Sequence, residues 1–194
     1  MVMHYRGNLL NNQFDSYKPK MDNVAIYWSG TYDEIENSKF TSCEAFEVGG
    51  SSDGAVMMMG SYSTIKNSIF GSNIGQNGGG LCAYDQSPYL DNLAFTNNHA
   101  TSKGGGLYVD GSICDIWNCR FINNSAEGHG GGAYFDSYVQ ILRYLTFINN
   151  SVALGDGLVF KSWNGDFLSN SEFYDSLASY CGGALLNKEK PVYL

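Results

Sequence analysis

The chain has 194 residues, 43% of them hydrophobic and only 15% charged, with 24 glycines against three prolines. That length supports one domain with a sizeable core, and glycine without proline points to recurrent tight turns. A formal charge of −8, with eleven basic residues scattered along the chain, argues against nucleic acid as a partner, because phosphates require clustered Lys and Arg. No apolar run approaches the ~18 residues that span a bilayer. The opening Met-Val-Met-His-Tyr-Arg-Gly lacks the apolar core of an export signal, so such a signal is expected outside this sequence.

From the N-terminus onward the sequence repeats. Phe14, Phe40, Phe70, Phe95, Phe121, Phe147 and Phe173 follow one another at 26, 30, 25, 26, 26 and 26 residues. Five positions before each stands Leu9, Ile35, Ile65, Leu90, Ile116, Leu142 or Leu168. Three before stands Asn11, Asn37, Asn67, Asn92, Asn118 or Asn170, with Tyr144 the one departure. Between these units lie, in chain order, MDNVAI, SDGAVM, GGGLCA, GGGLYV, GGGAYF, GDGLVF and CGGALL. Their apolar residues alternate with period two, which marks strand and not helix. Counted from the turn residues, the inward positions are Val24, Ala55, Leu81, Leu107, Ala133, Leu158 and Ala184. A second inward set lies two places on: Ile26, Met57, Ala83, Val109, Phe135, Phe160 and Leu186.

Three short strands per period, with like residues at like phase, predict an all-β fold: a right-handed parallel β-helix of about seven coils over residues 1–194. Coils stacked at the ~4.8 Å interstrand spacing turn equal phases into ladders, Phe over Phe and Leu over Leu. Asparagine suits the bends because its amide both donates and accepts, and because it tolerates left-handed backbone angles. A second column follows the phenylalanines at Asn73, Asn98, Asn124 and Asn150.

The residues between the inward ones, Ala25, Val56, Cys82, Tyr108, Tyr134, Val159 and Leu185, are mostly apolar although they should point outward. Such a stripe is expected to be covered by loops of this chain, by a second subunit or another surface protein, or by a glycan stacked on Tyr108 and Tyr134. Of these residues Val56, Tyr108, Tyr134, Val159 and Leu185 form the candidate interaction stripe. Asn123-Asn124-Ser125 and Asn149-Asn150-Ser151 are glycosylation sequons one period apart, so Asn123 and Asn149 are candidate acceptors. The competing reading is that Asn recurs there for the bend.

Several stretches imitate active sites. His129-Gly130-Gly131-Gly132 looks like an esterase oxyanion loop, yet Gly104-Gly105-Gly106 repeats it one period earlier without the His. Gly50-Ser51-Ser52-Asp53-Gly54 matches a nucleophile elbow but lacks its strand–turn–helix context. Asp110 and Asp136 share one phase in adjacent coils, which places them about 5 Å apart on an outer edge, within the range for a glycosidase pair. Tyr84 precedes them in that column and Lys161 and Asn187 follow, so a solvated pair is the plainer expectation. The five cysteines, at 43, 82, 114, 119 and 181, form no CxxC pair and have no His cluster beside them. They read as buried thiols, with a Cys114–Cys119 bridge left open. No catalytic, cofactor or metal residue is expected.

Leu194 falls where the next Ile or Leu of the pattern is due, and Met1 to Met3 hold the phase of a first strand. The chain is therefore expected to be a segment of a longer array, or a subunit stacking end to end.

Phe95-Thr-Asn-Asn98, Phe121-Ile-Asn-Asn124 and Phe147-Ile-Asn-Asn150, with Gly182-Gly183-Ala184-Leu185, resemble the FxxN and GGA[ILV] repeats of the chlamydial polymorphic outer membrane proteins. The resemblance extends over nearly the whole chain. It implies a non-enzymatic, surface-displayed adhesin or structural stalk, extracellular or at the cell surface, without cofactors. Its partners would be copies of itself, another surface protein or a glycan. A carbohydrate-active enzyme of the pectin-cleaving kind, or a glycan-binding module, is the alternative.

Overall fold

The computed structural model describes residues 3–5, 7–16, 26–45, 54–84, 86–111, 113–136, 139–152, 157–160, 168–174, 177–178 and 185–187. The stretch 50–53, Val24, Ala25, Lys161, Cys181, Ala184 and both chain ends lie outside these residues. Every strand pairing is parallel and joins one coil to the next. The first sheet, of eight strands, contains Ile26–Trp28, Val56–Met58, Leu81–Ala83, Leu107–Val109, Ala133–Phe135 and Leu158–Phe160. The second, of seven, contains Glu34–Glu36, Thr64–Lys66, Tyr89–Asp91, Cys114–Trp117 and Val139–Arg143. The third, also of seven, carries the phenylalanines, as in Ala94–Thr96, Arg120–Ile122 and Thr146–Ile148.

A fourth sheet departs from the three strands per coil that the repeat suggests. Its five strands run from Ile74–Asn77 through His99–Lys103, Ser125–Ala126 and Ser151–Val152 to Leu177–Ala178. About five turns therefore carry all four sheets, fewer than the seven counted along the Phe column. Its strands pair Gly75, Ala100, Ala126 and Val152 in one register, and Ala100, Ala126 and Val152 form a small buried cluster of their own. One small inward residue per strand leaves almost no hydrophobic pattern to read.

The inner core is a set of columns. Phe14, Phe40, Phe70, Phe95, Phe121, Phe147 and Phe173 stack with ring centroids 4.6–5.2 Å apart and interplanar angles of 2–15°. Offset stacking contributes about 0.5–1.5 kcal/mol per pair beyond burial. Ile35, Ile65, Leu90, Ile116 and Leu142 form a buried column in the second sheet. In the first sheet Val56 pairs with Ile26 and Leu81, and Met58 with Trp28 and Ala83. Val56 therefore occupies the Leu81 column and lines the interior, and Met57 takes the outward place. Leu185 likewise pairs with Leu158, and Leu186 with Val159. At Val56 the expected phase slips because left-handed Gly54 stands two residues before it, whereas left-handed Gly78 stands three before Leu81. Counting from glycine then misplaces the strand by one residue, which exchanges its faces.

The two Asn columns divide the work expected of one. Asn11, Asn37, Asn67, Asn92, Asn118 and Asn170 adopt left-handed φ of 49–56° at the bend between the second and third sheets. They are exposed, and Asn92 Nδ2 donates to Asn67 Oδ1 at 2.8 Å. Tyr144 holds the same conformation, with φ of 56°. The continuous ladder is the inner one. Asn73, Asn98, Asn124 and Asn150 are at most 1% exposed. Asn124 Nδ2 donates to Phe95 O at 2.9 Å and to Asn150 Oδ1 at 3.1 Å, and Asn124 Oδ1 accepts from Asn98 N at 3.0 Å. Asn73, Asn98 and Asn150 donate in the same way to Phe40, Phe70 and Phe121 O.

Asn124→Ala takes the Asn124 Oδ1 acceptor from the buried Asn98 N–H and Nδ2–H and the amide donor from Phe95 O. It is expected to lower the urea-unfolding midpoint by the equivalent of about 2–5 kcal/mol. Asn92→Ala loses an exposed left-handed residue and its exposed hydrogen bond to Asn67, at about 1 kcal/mol, and Asn92→Gly should cost less than that. Circular dichroism measures all three, and equal losses for Asn124→Ala and Asn92→Ala would refute the inner ladder.

Candidate functional site

Tyr108 and Tyr134 stack in the outward column of the first sheet, centroids 5.8 Å apart. They are not an exposed stripe. Cys82 and Val159 have no accessible surface, Tyr134 2% and Tyr108 6%, and together they form a second apolar cluster outside the tube. The cover includes side chains of this chain. The strand His99–Lys103 runs on toward the glycine turn and bridges to His129. Lys103 Nζ lies 4.7 Å from the Tyr134 ring centroid and 3.6 Å from Asp136 Oδ2. The His129 ring packs 6.3 Å from the same tyrosine, and Tyr84 meets Tyr108 edge-on at 6.1 Å. The lysine stem covers apolar surface while its ammonium finds a carboxylate.

This arrangement decides the carboxylate pair. Asp136 accepts from the Tyr108 hydroxyl at 3.2 Å and pairs with Lys103, and its side chain is only 12% exposed. Asp110 is exposed. The two are not a matched solvated pair: one is a structural counter-ion and the other faces water. Burial, then the Asp136 and Asp110 charges, drive the Tyr108 phenol far above its ordinary range, so it is a hydrogen-bond donor and no base.

The glycine triads serve the coil corner. Gly104 and Gly130 both have φ of 65°, and a Cβ on Gly130 would stand 2.4 Å from Ala133 O. The Gly104, Gly105 and Gly106 amides donate to His129, Gly130 and Gly132 O, and Gly132 N donates to Gly157 O. Amides spent on the ladder are withdrawn from any oxyanion. Asn123 and Asn149 are exposed at left-handed bends, φ 54° and 50°, and Asn149 Nδ2 donates to Asn123 Oδ1 at 2.8 Å. Cys43, Cys82, Cys114 and Cys119 are buried thiols outside any disulfide, and burial pushes the Cys119 thiol up to about 12. Cys114 and Cys119 stay unbridged. Among the described residues no cluster of His, Cys, Asp and Glu has the makings of a metal centre, and no helix is long and apolar enough to cross a membrane.

Surface clefts also lie among the described residues. One, of about 480 Å³, lies between Gly7, Gly30, Asp33 and Met59, and Asp33 Oδ2 already accepts from Gly7 N at 2.7 Å. Another, of about 350 Å³, opens where the first sheet turns into the second, between Tyr62, Ser87, Pro88, Tyr89, Ile113 and Asp115. Tyr89 and Asp115 are register partners in the second sheet. The buried Asp115 Oδ1 has no hydrogen-bond partner among the described residues, and burial raises the pKa of this carboxyl. The sequence repeat does not reveal this cleft, since only Tyr62, which follows Tyr32 by one period, shares its type with a register neighbour. The available signal is the outward phase of the second strand, where Tyr89 and Asp115 stand 26 residues apart.

A raised folded-state pKa means that Asp115 contributes stability only when protonated, and that this contribution is lost as pH rises through the folded value. Asp115→Asn is therefore expected to melt no lower than the parent at neutral pH, with the difference closing below about pH 4; calorimetry across pH measures it. In a Cys181→Ser protein, the four buried thiols should resist a thiol reagent until denaturant is added, as read by mass spectrometry. Rapid native labelling of Cys119 would contradict its burial.

A family model described as a right handed beta helix region matches residues 4–170 of the chain. No curated protein and no solved structure matches it.

Proposed function

Because the chain belongs to the right-handed β-helix family, we propose that it is a non-enzymatic structural or adhesive rod, extracellular or displayed at a cell surface. The observation that carries this reading is the use made of polar side chains inside the repeat. Asn73, Asn98, Asn124 and Asn150 join coil to coil, which stiffens a rod and leaves those amides no other task. The carboxylate best placed for acid–base work, Asp136, is held by Lys103 and Tyr108. The Phe-x-x-Asn and Gly-Gly-Ala units support placing the protein beside the chlamydial-type surface proteins. Self-assembly through the Tyr108–Tyr134 column has no support, since that column is covered. Contacts then fall to the exposed faces, with another surface protein as the partner.

Incubated with polygalacturonate and neutral polysaccharides, with and without calcium, the protein is expected to release no reducing ends and no unsaturated uronate. Cleavage that disappears in an Asp110→Asn, Asp136→Asn double variant would replace the structural reading with a carbohydrate-active enzyme. Antibody labelling of intact, unpermeabilised source cells tests the surface location, and labelling that requires permeabilisation would count against it.

A further inference from the structure

The outer face of the second sheet differs from that of the first. Its columns run Glu34, Thr64, Tyr89, Asp115, Ile141 and Glu36, Lys66, Asp91, Trp117, Arg143, all partly exposed. On this face the chain twice sets a cation over an aromatic ring: Arg143 lies 5.0 Å from the Trp117 centroid, and Lys66 5.9 Å from that of Tyr89. Lys66 is also engaged by Glu34 at 3.4 Å. The cleft beside Asp115 sets a further ring, Tyr62, near a carboxylate, and among the described residues no cation lies over that ring.

Tyr62 forms one wall. It is 53% exposed, and its ring stacks on that of Tyr32 at 5.3 Å. Among the described residues no aromatic continues the pile on the other side, where Ser87 and Pro88 stand in the next coil, and the Tyr62 ring lines the cleft there. Tyr89 and Ile113 supply further apolar surface, and Asp115 the charge. Burial, then the Asp91 charge and to a lesser degree that of Asp115, raise the pKa of the Tyr89 phenol, opposed by the shared Lys66. The local field is negative, on a chain of net charge −8.

We propose that this cleft binds an arginine side chain of a partner protein, with the guanidinium laid on the Tyr62 ring and hydrogen-bonded to the Asp115 carboxylate. A planar cation fits an aromatic wall beside a carboxylate better than a compact ammonium does, because it stacks and donates in the same plane. A saccharide also stacks on tyrosine, but its hydroxyls ask for several donors and acceptors, and this cleft offers one carboxylate, one serine and phenol tips. The partner's charge also relieves the cost of the desolvated carboxylate, which nothing else in the described chain does. The inference rests on reading the rod as a contact platform, and it fails or stands separately from the depolymerisation assay that tests that reading.

Titration of the full chain with the peptide acetyl-Gly-Arg-Gly-amide, followed by NMR and calorimetry, tests the assignment. Acetyl-Gly-Lys-Gly-amide, acetyl-Gly-Gln-Gly-amide and neutral oligosaccharides serve as comparisons. Saturable binding of the Arg peptide is expected, weaker for Lys and absent for Gln. Loss of about tenfold or more is expected in Asp115→Asn and in Tyr62→Ala. Should Asp115→Asn lose the folded state, Tyr62→Ala, at an exposed position, tests the same contact. The proposal is overturned by no saturable Arg binding, by equal binding of the Gln peptide, by binding indifferent to both substitutions, or by an oligosaccharide that takes the cleft in the peptide's place.

Discussion

The structure depends on one repeated interaction, the buried asparagine that binds the backbone of the neighbouring coil. At Asn73, Asn98, Asn124 and Asn150 the chain leaves the Phe strand and turns inside the tube wall away from water, and the N–H groups of the first three donate to the next coil's Asn side chain in place of a backbone carbonyl. A single amide supplies a donor to one coil and an acceptor to the same coil's next amide. That geometry fixes the three-residue step from Phe to Asn, because an added residue there would carry the amide out of reach of its carbonyl. Variation in coil length must therefore lie elsewhere. The chain between Glu44 and Val56 is longer than the chain between their register partners Ile74 and Leu81, so the longest interval expands ahead of the first sheet and leaves the ladder intact.

The same constraint explains why the first sheet is covered on its outer face. A parallel strand needs apolar residues on any face that is shielded from water, and Cys82, Tyr108, Tyr134 and Val159 answer the cover provided by Lys103, His129 and Tyr84. The charged groups drawn into that cover become part of the packing. A Lys–Asp–Tyr constellation that resembles catalytic equipment is here a lid on a second small core, with Asp136 closing the polar end. Geometry, not residue type, decides which role such a group plays.

The inner ladders are legible in the sequence because residue type and spacing repeat together. Phe95, Phe121 and Phe147, or Leu90, Ile116 and Leu142, need no structure to be placed over one another. The phase of the first sheet is legible wherever three residues separate the left-handed glycine from the strand, and illegible at Val56, where two do. The fourth sheet escapes notice because Ala100 and Ala126 look like loop residues, and their only distinction is register. The cover on Tyr108 and Tyr134 escapes for a different reason. It is built from Lys103 and His129, which belong to different coils and do not recur, so no period announces them.

That contrast separates what the coil dictates from what it leaves free. A column that keeps one residue type, such as the phenylalanines, is required by stacking, and its members have no independent role. A column whose type changes at every coil is under no such demand from the fold. Glu34, Thr64, Tyr89, Asp115 and Ile141 share a register and nothing else. Asp115 even opposes the fold, since burial disfavours its charge and the described chain provides no partner for its inner oxygen. A residue that stacking does not need, and that stability would rather lose, has its reason outside the coil. In a solenoid the places to look for contact are therefore the breaks in the repeat, and on this rod the cleft at Tyr62 and Asp115 is one where a break, an exposed aromatic ring and an unmet charge coincide.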